Sequence, residues 1–279
     1  MELKEIERSI IKKYRKQIWS RFIDAVNEFN LIKENDKIAV CISGGKDSFL
    51  LAKCMQEIKR HGKVNFDLKF IVMDSGYSND NLEKIKENAF YLNIPIEIFK
   101  SDIFKTVDEI SNDNPCYLCA RMRRGSLYSY AQGLGCNKIA LGHHFDDVIE
   151  TILLSIIYSG EMRTMMPKLH STNFLGMELI RPLYYVREQD IINWSRSSEL
   201  EFINCACKFT SQKMSDSKRL EMKNLIAEFR KINPYIETNI MKSAFNVNLD
   251  AVIGYKKDNI KHEFQEVYDE LSNKDGKNN

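Results

Sequence analysis

Residues 37–48 read Lys37-Ile38-Ala39-Val40-Cys41-Ile42-Ser43-Gly44-Gly45-Lys46-Asp47-Ser48. The first six form a short, apolar, β-branched run, the mark of a strand covered on both faces. Ser43-Gly44-Gly45 breaks that run, and a helical pattern follows over residues 47–61. Glycine reaches backbone angles closed to other residues and lets the chain come close to a ligand. Amides exposed in such a turn, and at the start of the helix, form a nest for anions. Ser43 and Ser48 add hydroxyl donors, and Lys46 adds positive charge.

The stretch is not a Walker A loop, which needs glycine, four residues, then Gly-Lys followed by Ser or Thr. Here Lys46 is followed by Asp47. A carboxylate at that point repels phosphate unless a cation intervenes, which implies bound Mg²⁺. The bland reading is a plain strand-to-helix turn. Strand, glycines, hydroxyls and helix agree on the phosphate loop instead.

Outward from this loop, strand and helix patterns alternate. Residues 66–73 predict a second strand ending at Asp74-Ser75-Gly76, and residues 81–92 a helix. Strands are expected over 94–99 and 138–141, a helix over 146–158, and a fifth strand within 179–186, interrupted by Pro182. Residues 187–231 read as helical with a break near Cys205. This alternation predicts an α/β fold, a parallel sheet with helices on both faces. Such sheets bind ligands beyond the carboxyl ends of their strands. Ahead of the sheet, Ile6, Ile10, Tyr14, Ile18, Phe22, Val26 and Phe29 recur every three or four residues, predicting one long amphipathic helix. Its other face carries Arg8, Lys12, Arg15 and Lys16, either a solvated face or one that binds a polyanion.

Composition narrows the class. The 279 residues are 43% apolar and 29% charged, which excludes a disordered or fibrous chain. The net charge of +2 decides little, because distribution matters more than sum. No apolar run approaches the ~20 residues of a membrane span. The charged start, Met1 to Ile6, lacks a signal core, so a cytoplasmic protein is expected. Seven cysteines in such a chain are thiols or metal ligands rather than a disulfide framework.

Gly142-His143-His144-Phe145-Asp146-Asp147 lies between the fourth strand and the next helix. Asp146 or Asp147 suits the helix N-terminus, where a carboxylate is favourable. Two histidines beside two carboxylates at a strand end also suit Mg²⁺ binding and proton transfer. Pro115-Cys116-Tyr117-Leu118-Cys119 is a Cys-x-x-Cys, ambiguous among zinc, an iron–sulfur cluster and a redox pair. Arg121, Arg123 and Arg124 follow, a solvated face or a contact for RNA phosphate, and Arg163 is a further basic candidate. Asn204-Cys205-Ala206-Cys207 supplies two more thiols. Four thiolates would close a tetrahedral zinc site, whereas three on a four-iron cluster leave one iron open for sulfur. Cys41, Cys54 and Cys136 read as core residues.

Ser43 to Ser48 resembles the PP-loop of the N-type ATP pyrophosphatases, which adenylate a carbonyl oxygen with pyrophosphate leaving. The Gly-His-His-x-Asp-Asp stretch at residues 142–147 is similar to a second signature of that superfamily. The resemblance implies that Ser43, Gly44, Gly45, Lys46, Asp47 and Ser48 hold the β- and γ-phosphates. It also implies nucleotide contacts at Asp74, Ser75, Gly142 and His143, and catalytic roles for Lys46, Asp47, Asp146 and Asp147. With residues 24–30, 41–48, 115–125, 138–147, 166–169 and 181–187, the chain is similar to the tRNA 2-thiocytidine synthetase (TtcA) family over about residues 18–245.

That family holds a 4Fe-4S cluster on three cysteines, by motif Cys116, Cys119 and Cys205, with Cys207 as the alternative third ligand. The resemblance implies ATP-dependent thiolation of a pyrimidine in tRNA, with cytidine giving 2-thiocytidine. It implies sulfur from a cysteine desulfurase or free sulfide, and is compatible with a homodimer. Lys12, Arg15, Lys16, Arg121, Arg123, Arg124 and Arg163 become candidates for the RNA backbone. One departure stands out: the family's distal site is Pro-Cys-x-x-Cys, whereas this chain has Asn204-Cys205-Ala206-Cys207.

The expected organisation is an N-terminal helical segment (1–34), a PP-loop domain (35–200), a C-terminal helical segment with the distal cysteines (201–255) and a polar tail (256–279), disordered at its end. Two rivals remain: a lysidine-type PP-loop tRNA synthetase, which does not need the cysteines, and a non-catalytic, zinc-stabilised RNA-binding protein.

Overall fold

The computed structural model describes residues 1–101, 115–203, 218–266 and 268, with the backbone alone for 115–120. Strands β1 (Lys37–Ile42), β2 (Asp67–Asp74), β3 (Ile96–Lys100), β4 (Lys138–Ala140), β5 (Lys168–His170) and β6 (Glu178–Ile180) form one sheet. Their order is β3-β2-β1-β4-β6-β5, and every pairing is parallel except β5 with β6. The register runs Ile96–Phe70–Val40–Ala140–Ile180 across the sheet.

The period-two alternation of β1 assigns its side chains to two cores. Ile38, Val40 and Ile42 share one face with Phe70, Val72, Ala140 and Ile180. Helices α1 (Leu3–Ile11), α2 (Ser20–Glu28), α3 (Lys46–His61) and α4 (Asn79–Tyr91) contribute buried residues to that core. Ala39 and Cys41 face the other way with Ile71, Ile139 and Leu179, beneath Tyr128 and Ala131 of α5 (Pro115–Gly133). The two-face covering expected of an all-apolar strand is therefore present.

The remaining helices of this region are α6 (Phe145–Ser159), α7 (Glu188–Ser197) and α8 (Lys218–Ile232). Two compact units divide the chain, Met1–Leu225 and Ile226–Asn279. The second holds α9 (Ile236–Ser243) and a hairpin of β7 (Gly254–Lys257) and β8 (Ile260–Glu263).

Three elements differ from the sequence reading. The N-terminal helix is not continuous: a π-helical turn at Arg15–Trp19 separates α1 from α2. The expected strand within 179–186 is shorter, ending at Ile180 before Pro182, and an antiparallel edge strand, β5, pairs with it. Proline has no N–H for a ladder, which explains the early stop. At the start of the supposed polar tail, residues 254–263 form the hairpin, which begins two residues ahead of the tail; Asp258 and Asn259 both take positive φ (51° and 63°), the pair a type I′ turn requires. The tail's end, residues 274–279, lies outside the described residues.

One charged side chain is built into the sheet itself. Lys138 of β4 is 2% exposed, and its Nζ lies 2.8 Å from Asp36, 3.1 Å from Glu178 and 2.9 Å from the Leu31 carbonyl. A buried ammonium is tolerable only when paired and hydrogen-bonded in this way.

Candidate active site

The sheet reverses direction of growth at β1: β2 and β3 extend it one way, β4, β6 and β5 the other. The loops leaving β1 and β4 therefore diverge around a crevice at the switch point. Residues 43–48 leave β1, and residues 141–147 leave β4. They touch: a Cβ on Gly142 would lie 3.2 Å from the carbonyl carbon and oxygen of Asp47 and from the amide of Ser48. Glycine makes this approach without crowding the backbone.

Gly44 takes φ +89°, and its hypothetical Cβ would strike Ile203 at 2.3 Å and Ile85 at 2.8 Å. Gly45 sits at the N-cap of α3, which begins at Lys46. The first amides of a helix have no intrahelical acceptor and carry its positive end. The Ser48 hydroxyl accepts from the Ser43 amide at 3.2 Å and donates to the Gly45 carbonyl at 2.8 Å, locking the turn. Lys46 Nζ stands 3.2 Å from one Asp47 oxygen and 3.6 Å from Glu188. That Asp47 oxygen, Oδ1, is buried and accepts no hydrogen bond.

After β2, Asp74 accepts from the amides of Gly76 and Tyr77 at 3.0 and 3.1 Å. Ser75 is 1% exposed, and its hydroxyl has no hydrogen-bond partner among the described residues. After β4, Asp147 accepts from the His144 amide at 3.0 Å, which caps α6. Asp146 instead accepts from the amide of Glu188, at 2.7 Å, where α7 begins. So one of the two carboxylates caps, as the sequence suggested, and the other bridges to a second helix.

Asp147 also pairs with Arg219 of α8 at 2.7 Å. Burial pushes its carboxyl up, but His144, His143 and Arg219 outweigh this, leaving it below the usual value. His143 is held down at about 4 by burial and by the Arg181 guanidinium, so its imidazole is neutral at pH 7. Glu150, one turn beyond Asp147, is 2% exposed, and burial lifts its carboxyl to about 7 despite Lys223 and Arg219 at 3.8 and 3.7 Å. Lys223 bonds Glu188 at 2.8 Å. Burial pushes the Glu188 carboxyl up too, but Lys223, His144 and Lys46 together bring it below its ordinary value.

Glu150, Arg181, Glu188, Arg219 and Lys223 were not named as site residues from sequence. Glu150 had a usable signal, since three residues after Asp147 it shares that residue's helical face. The others come from separate elements and leave no local trace.

The thiols divide cleanly. Cys41, Cys54 and Cys136 are buried core residues, and burial pushes their thiols upward. Cys116 and Cys119 lie about one turn apart near the start of α5, by backbone. Cys205 and Cys207 lie outside the described residues. Ile203, just ahead of them in sequence, donates its amide to the Gly44 carbonyl at 3.2 Å. Among the basic candidates, Lys12, Arg15 and Lys16 are exposed in the N-terminal helical layer. Arg121 and Arg124 are exposed on α5, Arg123 is half-buried, and Arg163 is exposed beside Glu161 at 3.3 Å.

A glycine-built anion nest at the switch point of a parallel sheet, ringed by carboxylates and a lysine, defines an α/β protein that binds nucleotide phosphate. Comparison with known proteins makes the class specific. The model of the PP-loop domain matches residues 13–210. A tRNA-cytidine(32) 2-sulfurtransferase of Geotalea uraniireducens is 36% identical over 233 residues, covering 83% of this chain and 91% of that protein. One from Coxiella burnetii is 33% identical over 258 residues, covering 92% and 96%. Among solved structures, the U34-tRNA thiolase NcsA from Methanococcus maripaludis, with its [4Fe-4S] cluster, superposes with a TM-score of 0.65 at 22% identity, covering 84% of this chain and 80% of that one. The chain belongs to the PP-loop family, in the branch that holds the tRNA-cytidine 2-sulfurtransferases. The family and fold expected from the motifs are the ones found.

Proposed function

We propose that this protein is an ATP-dependent tRNA sulfurtransferase that replaces the 2-oxygen of a cytidine with sulfur, in the cytosol. The relatives it matches along most of both lengths carry that activity in their names. The observation that carries the reading here is the bond from the Ile203 amide to the Gly44 carbonyl, which ties the chain entering the distal cysteine pair to the phosphate loop. A lysidine-type enzyme or a zinc-stabilised binding protein gives no reason for that tie, and the matched relatives do not favour either.

The pyrimidine carbonyl resists sulfur because oxide is a poor leaving group, and adenylation converts it into AMP. The base oxygen attacks the α-phosphorus of ATP, the bond to the β-phosphate bridge breaks, and pyrophosphate departs. The nest of Ser43, Gly44, Gly45, Lys46 and Ser48 holds the β- and γ-phosphates, and Asp74 and Ser75 take the nucleoside. Positioning of this kind supplies much of the rate. Lys46 offsets charge on the departing pyrophosphate. A sulfur nucleophile then attacks the activated carbon, and AMP leaves.

Among the described residues no three His, Cys, Asp or Glu side chains gather as a metal site, and Asp146 and Asp147 are already engaged by the Glu188 amide and by Arg219. Asp47, whose buried Oδ1 accepts no hydrogen bond among the described residues, is the oxygen that would meet Mg²⁺ carried in on the nucleotide. With Cys41, Cys54 and Cys136 committed to the core, Cys116, Cys119 and Cys205, with Cys207 as the alternative, are the thiols left to hold a 4Fe-4S cluster. When bound, Mg²⁺ supplies charge neutralisation and the cluster a sulfur-accepting iron. Basic residues of α1, the π turn and α5 hold the RNA backbone, and sulfur arrives from a desulfurase or as free sulfide. Dimerisation belongs to the same proposal.

Anaerobic purification with iron and sulfide counts, followed by thiolation assays on tRNA, tests this. Cys116→Ser and Cys119→Ser should lose both the brown chromophore and thiolation. Asp47→Ala should keep the chromophore and stop tRNA-dependent AMP release. A colourless Cys116→Ser protein with full activity sinks the cluster, and undiminished AMP release by Asp47→Ala sinks the loop assignment.

A further inference from the structure

Arg181 follows β6 and is 4% exposed. Its guanidinium donates to the Met166 carbonyl, but its Nε is buried without a hydrogen bond. Among the described residues no carboxylate forms an ion pair with it. Asp147 acts on it only weakly and is already held by Arg219 and the His144 amide. Burial, then the Arg124 guanidinium, lowers Arg181 to about 10, so it stays cationic at neutral pH. Burying a charge without a counter-charge is expensive.

Other polar groups lie close to Arg181. The Leu141 amide donates to the Ile180 carbonyl at 3.0 Å, which seats Arg181 beside the start of residues 141–147. His143 there has a buried Nδ1 with no hydrogen bond. Arg124 and Tyr128, one turn apart on α5, both lie within electrostatic reach of Arg181. Arg124 is exposed while Arg181 is enclosed, so the two guanidiniums that act on each other differ in their access to solvent. A guanidinium fork matches phosphate oxygens in a bidentate pair.

We propose that Arg181, with Arg124 and His143, forms a second phosphate-binding site, separate from the phosphate loop and adjoining it on the β4–β6 side. The phosphate comes either from the RNA backbone near the target base or from the α-phosphate of the nucleotide. The RNA source rests on the thiolation reading; the site itself does not.

Full-length wild type, Arg124→Ala and Arg181→Lys are compared for binding of inorganic phosphate, ATP and unmodified tRNA, the last over a range of salt. Inorganic phosphate should bind the wild type and bind both variants about tenfold more weakly. If RNA supplies the group, tRNA affinity should fall about tenfold in each variant and the salt slope should shrink by about one phosphate's worth, with ATP binding unchanged. If the nucleotide supplies it, ATP affinity falls instead and tRNA binding holds. Unchanged affinity for all three ligands overturns the site. Should Arg181→Lys fail to fold, exposed Arg124 decides the question alone. A wild type that binds phosphate but no tRNA leaves this site standing and defeats the thiolation reading.

Discussion

Gly142 backs directly onto Asp47: an added Cβ would stand 3.2 Å from the Asp47 carbonyl and the Ser48 amide, close enough that the backbone would have to give by a few tenths of an ångström. Both neighbours are backbone at the start of α3, so neither can yield cheaply. Gly142→Ala should push the phosphate loop away from residues 141–147. ATP affinity should drop at least tenfold while the thermal midpoint moves little, as read by ATP titration beside a melting curve. Gly44→Ala is the contrasting case. Its φ of +89° and its contacts with Ile203 and Ile85 predict a stability loss of about 1–3 kcal/mol as well as lost ATP binding.

Glu150 and His143 predict opposing pH dependences. Glu150 is lifted from 4.5 to about 7, so its neutral form suits the fold. The stability it contributes is complete below about pH 4.5 and is lost as pH rises to 7. His143 is lowered from 6.5 to about 4, so its contribution is complete above pH 6.5 and is lost as pH falls to 4. Each is worth up to about 3 kcal/mol, and the slopes largely cancel in the wild type. Urea midpoints of Glu150→Gln should therefore rise with pH between 4 and 6.5, whereas those of His143→Asn should fall between 4.5 and 7. Identical profiles for both variants and the wild type would contradict these environments.

Glu188 holds Lys46 of the phosphate loop and Lys223 of α8 at once, at 3.6 and 2.8 Å. Its neutralisation removes one of the two carboxylates beside Lys46 and leaves the existing Asp47 contact at 3.2 Å. For Glu188→Gln, KM for ATP should rise about tenfold, a change of ~1.4 kcal/mol, with kcat changed less. Steady-state kinetics at saturating tRNA measure the split, and an unchanged KM would count against the arrangement.

Lys138 serves the fold rather than the chemistry. Lys138→Met leaves Asp36 and Glu178 facing each other without their shared cation. The unfolding free energy should fall by about 3–5 kcal/mol, seen as a lower denaturant midpoint. A variant as stable as the wild type would show that the ammonium contributes nothing.

Much of this protein was legible along the chain. The apolar run at residues 37–42, broken by Gly44 and Gly45 ahead of a helix, announced a buried parallel strand and its phosphate loop, because propensity and periodicity are local properties. Strands β1 to β4 and helices α3, α4 and α6 fall within a few residues of their expected spans for the same reason. The hairpin at residues 254–263 was equally local, and its Asp258-Asn259 turn was an available signal. Folding alone decided the rest: that residues 43–48 and 142–147 meet at the switch point, that Ile203 bonds Gly44, that Arg219 reaches Asp147, and that Arg181 is enclosed with no carboxylate ion-paired to it among the described residues. Those relations join positions up to about 160 residues apart, by sheet order and charge pairing. Neither has a period that a linear reading can detect.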